Sequence, residues 1–297
     1  MKAVNNTTSE LISVNLNTLL HLAKSAAMLK LHPSTIRSKQ SGGFVSAFKG
    51  RGMEFDEARL YQPGDDIRCI DWRVTARTGK THTKIFREER ERPVFISVDH
   101  RPAMFFATRG VFKSVQAAKI AALLAWKAQL QGDRLGGQLL TDSSCQELKP
   151  QNGRHGVLRF FNALVKPQPP ANKQFTLNDA IARLVQHARP GSLVYIISDF
   201  RGFDVHTENH LAKLSRHCDV VLIQIHDPLE SQLPGKGRYR FTDGHSDTVI
   251  DTVDKTQTQH YQQRYLDRLN SLLKFVNKTG ISIIQCSTTE DPFEVLR

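Results

Sequence analysis

From residue 94 onward the chain alternates short apolar strands with helices, and that alternation leaves few architectures open. "VFISVDHRPAM" (94–104) opens with the strand formers Val94, Phe95, Ile96 and Val98 and ends on Asp99. A helix over 112–131, a strand over 135–141 and a helix over 155–165 follow. The helix over 176–188 starts from Thr176 as N-cap, with Asp179 three positions on. Then come the buried strand "SLVYIISD" (192–199), a helix over 206–217 and the strand "DVVLIQIHD" (219–227). A hairpin turning near Asp243–Gly244, a helix over 258–278 and a strand over 281–288 complete the run. Such alternation predicts a mostly parallel, Rossmann-like α/β sheet with helices on both faces, occupying residues 93–297.

Two segments precede this domain. Residues 1–39 carry a helix from Asn15 to Lys30, with Leu16, Leu19, Leu20 and Ala23 at helical spacing, then a break at Pro33 and the polar linker "SKQSGG". Residues 40–92 begin with a short strand in "FVSAFKG" and continue as an extension dense in both signs of charge. In "YQPGDD", Pro63 and Gly64 stand in the order of a type II turn. Asp66 is predicted to cap a helix with Ile67, Ile70 and Val74 on one face, ended by Gly79. "THTKIFREERERP" reads as an extended arm leading to the first strand of the sheet.

The 297 residues carry a net charge of +12, of which +7 falls in residues 93–175. A basic surface attracts nucleic acid, anionic lipid or an acidic protein, or is simply a solvated face. No apolar run approaches the roughly 18 residues that span a bilayer, and no secretory signal pattern opens the chain. A cytoplasmic protein is the expectation. Cys69, Cys145, Cys218 and Cys286 are widely spaced and form no C-x-x-C pair, which argues against a metal knuckle or disulfide framework.

Three acids end apolar strands: Asp99, Asp199 and Asp227, with Asp142 following another strand more loosely. In an open α/β sheet these positions share one edge, where ligands bind. Carboxylates gathered there hold Mg²⁺ through oxygen ligands, or each caps the next helix or meets an arginine. Arg101, two residues after Asp99, raises that last alternative directly.

"GRGMEFDEARLYQPGDDIRCIDWRVTART" (50–78), supported downstream by "QGDRLGG", "TLNDAI" and "ISDF", resembles domain-of-unknown-function family number 58, a bacterial branch of the von Willebrand factor A fold. The resemblance covers about residues 40 to 290. It implies a von Willebrand factor A-like domain and, as partners, a MoxR-type AAA+ ATPase and other von Willebrand factor A proteins of the same operon. It also implies a place for a metal-ion-dependent adhesion site of the form D-x-S-x-S, with a threonine and a later aspartate. Asp99 matches the first aspartate, Thr176 the threonine and Asp199 the later aspartate, but Arg101 and Ala103 stand where the serines belong. A guanidinium cannot ligate a cation and repels one. The expectation is a degenerate site without a cofactor; were Mg²⁺ to bind, Asp99, Thr176 and Asp199 would hold it. Asp99, Arg101, Thr176 and Asp199 are the candidate binding residues, with Arg101 forking onto Asp99 or Asp199.

The signature itself concentrates charge. Glu54, Arg59, Tyr61, Asp65 and Asp66 open it; Arg68, Asp71, Trp72 and Arg77 close it. Three readings stand: an ion-pair network holding the extension on the sheet domain, a docking surface, or acid–base work by Asp65 and Asp66. No activated nucleophile, H-E-x-x-H, G-x-S-x-G, Walker A or G-x-G-x-x-G pattern accompanies them. No catalytic residue is therefore predicted. The expected function is a non-enzymatic adaptor for a MoxR-type ATPase, chaperone-like in the maturation of other complexes. The alternatives are a Mg²⁺-dependent hydrolase using Asp99, Asp199 and Asp227, or a basic nucleic-acid-binding protein. The latter lacks any aromatic–basic interleaving, so no nucleic acid is expected as a partner.

Overall fold

The computed structural model describes residues 10–29, 53–88, 92–166, 174–233, 235, 237–242 and 247–297. The chain divides into two compact units, residues 1–36 with 92–297 and residues 37–91. The expected linker "SKQSGG", the strand in "FVSAFKG" and the turn at Asp243–Gly244 lie outside the described residues.

In the larger unit the predicted N-terminal helix is two: α1 (Leu16–His21), capped by the Asn15 side chain, and α2 (Ala23–Met28). The smaller unit opens with β1 (Met53–Leu60). Gly64 has φ 107°, and the Asp65 N–H donates to the Gln62 carbonyl at 3.0 Å, so the type II turn is present. The single helix expected after Asp66 is instead a 3-10 turn over Ile67–Cys69 and a separate helix, α3 (Trp72–Thr78). Asp71 stops the first from running into the second: its carboxylate accepts the N–H groups of Arg73 and Val74, leaving Asp71 itself extended. Gly79, with φ 70°, ends α3. The predicted arm is a strand, β2 (His82–Glu88), antiparallel to β1.

The sheet of the larger unit begins with β3 (Pro93–Asp99), followed by α4 (Lys113–Leu130), β4 (Arg134–Leu140) and β5 (Cys145–Gln151). After α5 (Gly153–Val165) and α6 (Leu177–His187) come β6 (Leu193–Ser198), α7 (Val205–Leu214), β7 (Asp219–His226) and the short α8 (Pro228–Ser231). A two-stranded ribbon, β8 (Arg238–Thr242) with β9 (Asp247–Asp251), precedes the long α9 (Lys255–Thr279), β10 (Ser282–Ser287) and α10 (Pro292–Leu296).

The strands lie in the order β10-β7-β6-β3-β4-β5. All neighbours are parallel except β4 and β5. The edge strand β5 was not anticipated. One core face gathers α1, α2, α4 and α5; the other gathers α6, α7 and α9. α4 is buried on almost every side, and the Trp126 indole donates to the Leu19 carbonyl at 3.0 Å. Numbering the sheet strands as they occur gives the doubly wound order 3-2-1-4-5-6 read from the β5 edge. Successive connections leave in opposite directions at β3 and β6, so a crevice opens between their carboxyl ends. Asp99 and Asp199 stand at that point.

Candidate functional site: a charge cluster at the strand ends

Asp99 ends β3 almost fully buried, at 3% exposure. Arg101 turns back onto it: its backbone N–H donates to Oδ1 at 2.9 Å, Nε to Oδ1 at 3.0 Å, and one terminal nitrogen to Oδ2 at 2.7 Å. The same terminal nitrogen reaches the Arg201 carbonyl at 2.9 Å and lies 3.9 Å from Asp199. Ser198 Oγ donates to Asp99 Oδ2 at 2.6 Å and accepts the Phe200 N–H at 2.9 Å. Phe200 sits in the left-handed region with φ 54°. For a buried aromatic that conformation costs on the order of 1–3 kcal/mol. It carries the chain round so that the carbonyl of Arg201 faces Arg101.

Asp199 meets a second cation that sequence reasoning missed. Lys113, the first residue of α4, is fully buried, and its Nζ donates to Asp199 Oδ2 at 2.8 Å and to Glu230 Oε1 at 2.9 Å. Arg201 adds a bond to Glu230 at 2.7 Å and lies 3.4 Å from Asp199. Three carboxylates (Asp99, Asp199, Glu230) thus face three cations (Arg101, Lys113, Arg201). Burial opposes the ionisation of Asp199, but the Lys113 charge and hydrogen bond, with the Arg201 N–H, outweigh it and hold the carboxyl below its usual range. His100, beside Asp99, is pushed down to about 4 by burial, which the Asp99 charge only partly offsets. Its Nε2 is buried without a hydrogen-bond partner.

The other candidates fall elsewhere. Thr176 is bonded within its own capping box, its hydroxyl paired with Asp179 and no bond running to Asp99 or Asp199. Asp227 caps α8 and accepts from Thr108 and Thr288 as well as from the Leu229 N–H. It joins the cluster only through Glu230, whose Oε2 accepts the Asp227 N–H at 3.2 Å. Asp142 is exposed. Among the described residues no group of three metal-ligating side chains comes together. A divalent cation does not fit this cluster: a guanidinium covers Asp99 where an oxygen ligand would be needed, and Asp199 is held by an ammonium.

In the smaller unit, Arg59 pairs with Asp65 at 2.7 Å. The Gln62 N–H, then Arg59, hold the Asp65 carboxyl below its usual range. Asp66 caps the 3-10 turn through the Arg68 N–H, and Asp71 caps α3. Glu54 lies opposite Arg87 in the β1–β2 register. The Tyr61 N–H donates to the Thr81 carbonyl at 2.9 Å, Arg77 is exposed, and Trp72 is 69% exposed. Asp65 and Asp66 thus act on separate backbone groups and do not converge as an acid–base pair.

Strand order and strand-end cluster define a doubly wound α/β protein whose ligand-type crevice lies at the switch point of the sheet. The chain belongs to the family described as protein of unknown function DUF58, whose family model matches residues 57–270. It is 28% identical over 276 residues to the uncharacterized protein Rv1480 of Mycobacterium tuberculosis (strain H37Rv) and, equally, to the uncharacterized protein Mb1516 of Mycobacterium bovis. The match covers 90% of this chain and 86% of each relative. Similar solved structures include the conserved hypothetical protein BatB from Bacteroides thetaiotaomicron, at 13% identity and a TM-score of 0.39, over 64% of this chain and 98% of that one. Another is an aerotolerance-related membrane protein from Bacteroides fragilis, at 15% identity and a TM-score of 0.42, over 63% of this chain and 98% of that one. Among the described residues of the present chain, no helix is long and apolar enough to cross a membrane.

Proposed function

We propose that this protein is a non-enzymatic, cytoplasmic adaptor that works with a MoxR-type AAA+ ATPase in the maturation of other complexes. The observation that carries the reading is the crevice at the switch point, where an open α/β sheet takes its ligand. Side chains of the protein itself fill it: three buried carboxylates are matched by three cations. Such a site has no free carboxylate to act as a base and no room for a cation, so it presents fixed charge and shape to a partner. Against the hydrolase reading, Asp227 is already occupied by four donors and Asp199 by a buried ammonium.

The experiment is a calorimetric titration of the protein against a MoxR-type AAA+ ATPase from the same organism, with and without ATP, at low and moderate salt. Saturable binding that changes with nucleotide supports the adaptor reading. Absence of binding in every condition, or phosphatase or peptidase turnover lost in Asp99→Asn, would overturn it.

A further inference from the structure

A crevice beside the cluster lies between the ends of β6 and β7 and the flank of α9. Its volume is about 20 Å³, room for one or two water-sized groups. The 25 residues of α9 rise about 37 Å. The 6 residues of β10 that follow rise about 20 Å. Leu272, Phe275 and Val276 anchor the lower half of α9 in the core. The upper half therefore passes the strand-end edge and walls the crevice with Tyr265 and Arg268.

Unused donors line this crevice. Arg268 is exposed and makes no ion pair among the described residues. Arg201, 43% exposed in its side chain, bonds Glu230 through one terminal nitrogen, and its other terminal nitrogen has no hydrogen-bond partner among the described residues. Gln224 accepts from Gln285 at 2.8 Å through its oxygen, and its amide nitrogen has no partner among the described residues. Burial, then the Glu230 charge, raise the Tyr265 phenol, which keeps its proton as a donor. The only acids present, Asp199 and Glu230, already hold Lys113 and Arg201. A monoanionic group fits such a place. A dianionic phosphate would be opposed by the two carboxylates behind it.

We propose that the crevice bounded by Arg201, Gln224, Tyr265 and Arg268 receives a glutamate or aspartate side chain from an acidic segment of a protein partner. The proposal rests on the adaptor reading and gives it an anchor: Arg268 and Arg201 fork onto the incoming carboxylate, and Tyr265 donates from the α9 wall. Arg101 is not part of this anchor: it does not line the crevice, and its Nε and one terminal nitrogen already bind Asp99 and the Arg201 carbonyl.

The test uses fluorescein-labelled hexaglutamate in a polarisation titration of the full chain, and in parallel the MoxR-type ATPase. Arg268→Glu should weaken hexaglutamate binding by about tenfold or more and Tyr265→Phe by a few-fold, as expected for charge-assisted bonds. Arg216→Glu, the same charge change at an exposed position before β7, at the opposite, amino-terminal edge of the strands, should stay within about twofold. Undetectable wild-type binding, equal losses in Arg268→Glu and Arg216→Glu, or competition by inorganic phosphate as strong as by free glutamate peptide would each overturn the proposal. If the ATPase binds and Arg268→Glu does not weaken it, the crevice is not the anchor and the adaptor reading stands. If hexaglutamate binds through Arg268 but the ATPase does not bind at all, the crevice stands and the ATPase partnership falls.

Discussion

At the residue scale, Lys113 bears the most consequence. Of the two cations among the described residues that touch both Asp199 and Glu230, Lys113 and Arg201, it is the fully buried one. Lys113→Met keeps the length and removes the charge, leaving two buried carboxylates short of a partner. The expected loss is about 3–5 kcal/mol in urea denaturation. Adding Asp199→Asn and Glu230→Gln to that variant should recover part of it, because neutral groups do not need the ammonium. Wild-type stability in the single variant would show that the trio is not ion-paired. Protonation reports on the same cluster. Asp199 has a folded pKa below its unfolded value, so its contribution is present above the latter and fades as pH falls through the former. His100 works in a higher window. Its folded pKa of about 4 lies below the ordinary 6.5, so the unfolded chain binds the extra proton between those values. Stability should therefore decline as pH drops from 6.5 toward 4, by up to about 1.4 kcal/mol per pH unit for this group. His100→Phe should flatten that part of the profile; an unchanged slope would assign it to other groups. Arg101 lends itself to a converse experiment. Arg101→Ser with Ala103→Ser removes the guanidinium and restores two hydroxyls beside Asp99. The double variant should melt lower than wild type and regain stability in millimolar Mg²⁺, while wild type should not respond. Equal Mg²⁺ responses would refute the view that Arg101 occupies the cation's place.

At the scale of elements, local signals were legible where one residue decides the geometry. The Thr176–Asp179 capping box, the Pro63–Gly64 turn and the apolar strands at β3, β6 and β7 are all present. β5 was not legible, because "CQELKPQ" buries no continuous apolar row and contains Pro150, which a sheet accepts only at its edge. The helix after Asp66 was misread for a different reason. Ile67, Ile70 and Val74 share helical spacing, but Asp71 takes two backbone N–H groups for itself and restarts the helix. Two substitutions examine that restart. Gly79→Ala meets no neighbour, so its cost is the left-handed φ of 70° alone, about 1–2 kcal/mol. Asp71→Ala removes the acceptor for the Arg73 and Val74 N–H groups and should speed hydrogen exchange across Trp72–Thr78. Exchange unchanged in Asp71→Ala would show that packing, and not the cap, holds α3.

At the scale of the whole molecule, the doubly wound plan followed from strand–helix alternation, and the switch point followed from the plan. The filling of the cluster did not. Lys113 and Glu230 lie 117 residues apart, and no local pattern distinguishes a buried lysine from an exposed one. The nearest hint was a lysine at the first position of the mostly apolar α4, but Lys119 and Lys127 on the same helix are of the same type and are not fully buried. Charge distribution, by contrast, was legible and acquires a location. Part of the +7 excess of residues 93–175 gathers along β5 and α5. Arg134 and Arg159 reach the carbonyls of Pro150 and Lys149, and Arg154 and Lys166 are also exposed. This stripe is separate in the chain from Arg268 on α9, so the two should affect association differently. Dispersed, solvated charge steers encounter over a Debye length, about 10 Å at 0.1 M salt, whereas a desolvated contact governs departure. Arg154→Glu with Arg159→Glu should slow association with an acidic partner and flatten its salt dependence while leaving the dissociation rate near wild type. Arg268→Glu should mainly raise the dissociation rate. Stopped-flow association and dissociation measured at several salt concentrations separate the two. If the stripe variant changes dissociation as much as Arg268→Glu does, β5 and α5 belong to the contact itself and do more than steer the approach to it.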